Sequence, residues 1–122
     1  MLTIDFTILN KNWVIKILSK NKYVKKHGRD SVAMCLMYKR TIVVHPSGID
    51  LSTIKHELVH AYLYEMCIKS TEEITANDME EIFAEFFGNR GREALDLADR
   101  LYSEILNITG PAITNIKKDE ES

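Results

Sequence analysis

The chain has 122 residues, 45% of them hydrophobic and 28% charged, with a net charge of −2. That length suits one compact domain with a modest core. A near-neutral charge argues against general nucleic-acid binding, which rests on clustered Lys and Arg neutralising phosphate. No apolar run of about 18 residues is present, so no membrane span is expected, and the start Met1-Leu2-Thr3-Ile4-Asp5 lacks the basic and then apolar pattern of a secretory leader. Cys35 and Cys67 are too few and too far apart for a disulfide framework, and reduced thiols in a cytoplasmic protein are expected.

The first half reads as β-rich. Thr3 to Leu9 alternates Ile4, Phe6 and Ile8 with polar residues, a strand pattern. Trp13 to Leu18 fits either a second strand or a short helix. The basic run Lys20 to His27 contains Tyr23, as a weak RNA or DNA contact does, but reads as a solvated loop or strand edge. Ser31 to Met37 and Arg40 to His45 read as a hairpin turning near Tyr38-Lys39-Arg40. Pro46-Ser47-Gly48 then releases the chain into a helix. His45, at the strand end, is assigned a structural or exposed place, with a substrate or transition-state contact as the alternative. An edge strand of this sheet is suited to hold an extended peptide by backbone hydrogen bonds.

The helix that follows carries His56-Glu57-Leu58-Val59-His60. At about 100° per residue, His60 lies about 40° around from His56 and one turn on, with Glu57 about 100° from His56. Two imidazoles and a carboxylate therefore project to one side, the spacing at which a zinc hydrolase holds its metal and keeps a proton acceptor beside it. Leu51, Ile54, Leu58, Val59, Tyr62 and Leu63 give the same helix an apolar stripe, so it belongs to the core. Asp50 or Ser52 serves as its N-cap.

A second helix is expected from Asn77 to Gly88, with Asn77 as N-cap and Glu80 in the reciprocal capping position. Ala84, Glu85 and Gly88 fall within about 60° of Glu81 on the helical wheel, opposite Met79, Ile82, Phe83, Phe86 and Phe87. The small residues would let this face approach the histidine helix and deliver Glu81 as a third ligand. Glu85 would then orient a ligand histidine, and Glu80 is the second choice of ligand. Asn89-Arg90-Gly91 reads as a break, and Arg92 to Ile108 as a third helix with Ala94, Leu97, Ala98, Leu101, Ile105 and Ile108 inward. Gly110-Pro111 is expected to stop it, leaving one domain over residues 1–110 and a polar, mobile tail over 111–122.

The segment from Ser52 to Tyr62 resembles the active-site helix of small gluzincin-type zinc metallopeptidases, closest to SprT-like and ImmA/IrrE-like proteins, including short phage-encoded versions. The resemblance covers about Val32 to Leu101 and is specific at the zinc-site residues. It implies an α+β, zincin-like minimal domain: a small N-terminal antiparallel or mixed sheet packed on the HExxH helix, followed by two further helices. It also implies one zinc per chain and a glutamate from the following helix, matching Glu81, with Ala84 and Glu85 after it. The chain lacks the cysteine-rich zinc ribbon of some SprT-like proteins and the extra C-terminal domain of many ImmA/IrrE-like ones, so substrate recruitment does not carry over. Peptide deformylases share the His-Glu-x-x-His pattern, but the Cys35 context Ala-Met-Cys-Leu does not match theirs.

The expected activity is peptide-bond hydrolysis, with Glu57 as proton acceptor for water on the metal and Tyr64 as donor to the oxyanion. His45 and Tyr62 are lesser options for that donor. The expected partner is a protein or peptide substrate. The alternative is a zinc-stabilised, catalytically weak or inactive regulatory protein of phage or mobile-element origin that binds a host protein.

Overall fold

The computed structural model describes residues 1–67 and 76–121, with the backbone alone for 76–78 and 111–121. Strand β1 (Leu2–Ile8) and strand β2 (Lys11–Ile17) form an antiparallel hairpin with Ile8 opposite Lys11. Its turn residues Leu9 and Asn10 both have positive φ, 49° and 68°. That is the mirror-image turn whose twist matches the strands it joins. β2 settles the ambiguity over Trp13 to Leu18, because Trp13, Ile15 and Ile17 alternate inward with a period of two.

The basic run is a helix, α1 (Lys20–His27), and not the loop or strand edge its composition suggests. Capping explains the difference. The Ser19 hydroxyl accepts from the Lys22 N–H, Gly28 closes the far end at φ 83°, and Lys25, Lys26 and His27 complement the dipole of the last turn. Tyr23 is buried and shares a hydrogen bond with Ser31. It is therefore not an exposed stacking surface.

Strands β3 (Ala33–Leu36) and β4 (Thr41–Val44) form the expected hairpin around a 3₁₀ turn at Met37–Lys39. β4 also pairs parallel with β2, so the sheet is mixed, in the order β1-β2-β4-β3, with β3 at an edge. Gly48, in the turn before the next helix, lies against the Val32 backbone, where a Cβ would collide with the Val32 carbonyl. That close approach holds the start of the helix beside the edge strand.

Helix α2 (Leu51–Cys67) is capped by Asp50, whose carboxylate accepts from both the Thr53 N–H and hydroxyl. It lays Ile54, Leu58 and Ala61 into one core with Ile4, Phe6, Ile15 and Ile42 of the sheet. Helix α3 (Ala76–Glu85) passes through a π-helical turn (Phe86–Arg90) straight into α4 (Gly91–Glu121). The predicted break at Asn89-Arg90-Gly91 is thus a change of winding. The Gly91 N–H reaches back five residues to the Phe86 carbonyl, so the extra residue is absorbed without losing the ladder. It also turns Phe86 into the core against Tyr62.

Ala94, Leu97, Ala98, Leu101 and Ile105 are buried at the predicted spacing, completing an α+β architecture, whereas Ile108, also expected inward, is exposed. The Gly110-Pro111 stop is not observed, since α4 continues to Glu121. A proline within a helix forfeits its own N–H bond to the carbonyl four residues earlier. Here that carbonyl belongs to Asn107, an exposed residue, where water can satisfy it. The expected N-cap at Asn77 lies outside the described side chains, one residue inside the helix start at Ala76. Among the described residues no helix is long and apolar enough to cross a membrane.

Candidate metal centre

Three of the predicted residues stand together. His56 and His60, one turn apart on α2, are exposed and turn their Nε2 atoms toward each other at 3.2 Å, with the rings edge-to-face at 76°. Two nitrogens bound to one tetrahedral zinc at about 2.0–2.1 Å lie about 3.3–3.4 Å apart. The two nitrogens share a hydrogen bond at a spacing close to the one a metal would require, and two imidazoles are donors that suit zinc. Glu57, between them in sequence, is buried. Burial pushes its carboxyl above the usual range, while His60 and His56 pull it back down. The carboxyl is thus held beside two imidazoles with a proton affinity above the ordinary.

A cavity of about 280 Å³ opens beside this group, lined by His56, Glu57, Ser52 and Thr53 of α2 and by Val32 and Ala33 at the edge strand. The start of β3 thus borders the site. Cys35, on the same strand, is pushed up to about 12 by burial and by the nearby Glu57 charge. In the metal-free protein it is therefore a thiol at neutral pH.

The other expected site residues are placed elsewhere. Glu81 and Glu85 line a separate cavity of about 290 Å³ with Leu9, Met66, Ile82 and Arg90. Glu85 accepts a hydrogen bond from Asn89. The close helix approach predicted through Ala84 and Gly88 is not formed: both are exposed, and a Cβ on Gly88 would meet nothing. The phase change at the π turn is the reason, because it lets Phe86 anchor the helix to Tyr62 while the small-residue face stays outside. Glu80 is exposed. Among the described residues no group of three or more metal-ligand side chains is assembled.

Tyr64 is half-buried, edge-on to both Trp13 and Tyr38. Tyr62 is buried and donates to Glu93, tying α2 to α4; burial first and then Glu93 push it up. His45 is buried and has the structural place expected of it, accepting the Ser47 N–H at Nδ1 and meeting Tyr23 edge-on.

Sequence reasoning missed Glu65. It is buried and accepts from Trp13 Nε1 at 2.8 Å and Arg40 Nε at 2.6 Å, pinning α2 to the sheet. The signal was available: Glu65 lies about 180° around from His56, inside the apolar arc of Leu58 and Ala61. A charge in such a stripe calls for a buried partner. Comparison with known protein families, curated proteins and solved structures gives no match for this chain.

Proposed function

We propose that this protein is a zinc-dependent metallopeptidase of the gluzincin type, a zincin-like domain reduced to a sheet, the His-Glu-x-x-His helix and the helical stretch after it. The observation that carries the proposal is the His56–His60 pair, with Nε2 atoms 3.2 Å apart beside a buried Glu57 at the mouth of a cleft. A solvated polar helix face has no reason to bury the carboxylate between two exposed imidazoles, since burying an unpaired charge costs several kcal/mol.

His56 and His60 would hold the zinc, with Glu81 as the third protein ligand and Glu80 as second choice. When bound, zinc supplies Lewis acidity that polarises a scissile carbonyl and lowers the pKa of water to about 7. Glu57 takes the proton from the attacking water and passes it to the leaving amine. Tyr64, one turn past His60, is our assignment for the donor to the oxyanion. The free edge of β3 offers backbone N–H and C=O groups to an extended substrate beside the site. Glu81 and Glu85 face another cavity here, so their recruitment requires α3 to turn toward α2 as metal binds. Coupling of metal binding to packing is general where the ligand set is not preassembled.

Elemental analysis of the protein and its His60→Ala and Glu81→Gln variants tests this. The expected result is about one zinc per native chain, lost in His60→Ala and weakened in Glu81→Gln. No zinc after reconstitution at neutral pH overturns the proposal. Zinc retained in Glu81→Gln moves the third ligand to Glu80 or Glu85. Zinc bound with no peptide hydrolysis, in a protein whose biological effect survives Glu57→Gln, makes it a zinc-stabilised binding protein instead.

A further inference from the structure

We infer that the face of the sheet opposite α2 is a docking groove for an acidic peptide segment that also carries apolar side chains. A cavity of about 800 Å³ opens there, rimmed by Lys16 of β2, Lys22, Lys25, Lys26 and His27 of α1, and Lys39 of the 3₁₀ turn. The last-turn cations of α1 have an ordinary explanation in the helix dipole. Lys16 and Lys39 do not, for they come from a strand and a turn. Cations from three elements meet at one concavity.

None of these six side chains has a carboxylate within ion-pair distance among the described residues. Asp5 shares this face of the sheet but sits on β1 opposite Val14, outside the cavity. Like charges gathered without counter-charge repel one another, and an anionic occupant relieves that repulsion. Five of the 16 Lys and Arg residues of a chain of net charge −2 line this one groove.

The floor decides the class of anion. It is apolar, built from Leu18, Leu36 and Val43. Tyr23 of α1 lies buried beneath with its hydroxyl paired to Ser31, so its ring is not presented for base stacking. Single-stranded nucleic-acid sites combine cations with such stacking platforms. A cationic rim over an aliphatic floor instead complements a peptide alternating carboxylates with aliphatic side chains. The groove lies across the sheet from the histidine pair, and its occupancy is independent of the zinc proposal.

Fluorescence anisotropy on the full chain, zinc-free and zinc-loaded, tests this at physiological salt with labelled probes of about twelve residues. One alternates glutamate and leucine, one alternates glutamate and serine, and one is a single-stranded oligonucleotide of equal charge. The glutamate–leucine peptide should bind saturably in both metal states. The glutamate–serine peptide should bind about tenfold more weakly, and the oligonucleotide more weakly than the first peptide. Lys22→Glu with Lys25→Glu should cost about tenfold, and so should Lys16→Gln with Lys39→Gln, with thermal melting unchanged because the groove lies outside the main core. Absence of saturable binding overturns the inference, as does binding indifferent to either double variant. An oligonucleotide that binds more tightly, with affinity falling steeply with salt, overturns it in favour of nucleic acid.

Discussion

Helix α2 carries two ionisable clusters on opposite sides, and their treatment differs. On one side Glu65 is buried, yet both its donors are present: the Trp13 indole and the Arg40 guanidinium. On the other, His56 and His60 are exposed and point their nitrogens at each other, beside a buried Glu57 whose proton affinity burial has raised. A buried charge with its donors in place serves the fold. Two exposed imidazoles bonded to each other along one helix tie no second element to it among the described residues. The same residue types on one helix therefore have different uses, and partner satisfaction separates them.

Substitutions on the two sides should break this comparison in opposite ways. The largest effect expected is on chemistry: Glu57→Gln should lower peptide hydrolysis by about 10²–10⁴-fold, the usual worth of a general acid–base, while zinc content is retained. Steady-state rates with elemental analysis check it, and full activity in the variant removes Glu57 from the mechanism. Next is stability. Glu65→Ala strands the indole N–H and the guanidinium, and should cost about 2–4 kcal/mol by urea denaturation. His56→Ala, at an exposed position, should stay within about 0.5 kcal/mol in metal-free protein. Equal losses in both would mean that the histidine side also serves the fold.

Added zinc should raise the stability of the native chain, by about 2.7 kcal/mol at a hundredfold excess over Kd, and leave His60→Ala unmoved. A pH series sharpens the contrast further. The Glu57 carboxyl ionises near its ordinary value of 4.5 when unfolded, but holds its proton to higher pH when folded. Between those two points the native state binds more protons, so metal-free stability should fall as pH rises through the window. Glu57→Gln should remove that fall, so its melting temperature should gain on the native protein as pH rises above the unfolded carboxyl's range. The smallest effect concerns Cys35, whose thiol, pushed up to about 12, should alkylate much more slowly at neutral pH than a model thiol.

Much of the site and the core was legible because it is local. The one-turn spacing of His56 and His60, the inward positions Ala94 to Ile105 and the strand alternation at Ile4, Phe6 and Ile8 are periodicities that a helix or strand converts directly into a face. The basic run misled because composition outweighed its caps. Ser19 and Gly28 frame eight helical residues, and Tyr23 supplies the single buried anchor. The helix from Ala76 onward misled at Asn89 and Gly91, since a π turn has no simple residue signature and depends on Phe86 finding Tyr62.

The sequence by itself determined which side chains share a helix face, hence the histidine pair with its glutamate and the stripe that buries α2. Only the tertiary structure decided the parallel pairing of β2 with β4, the Glu65 clasp, the placing of Glu81 away from the histidines and the meeting of lysines from three elements. Each joins residues distant along the chain. Their juxtaposition depends on how elements pack and how a helix is phased, which a period of two or 3.6 residues does not encode.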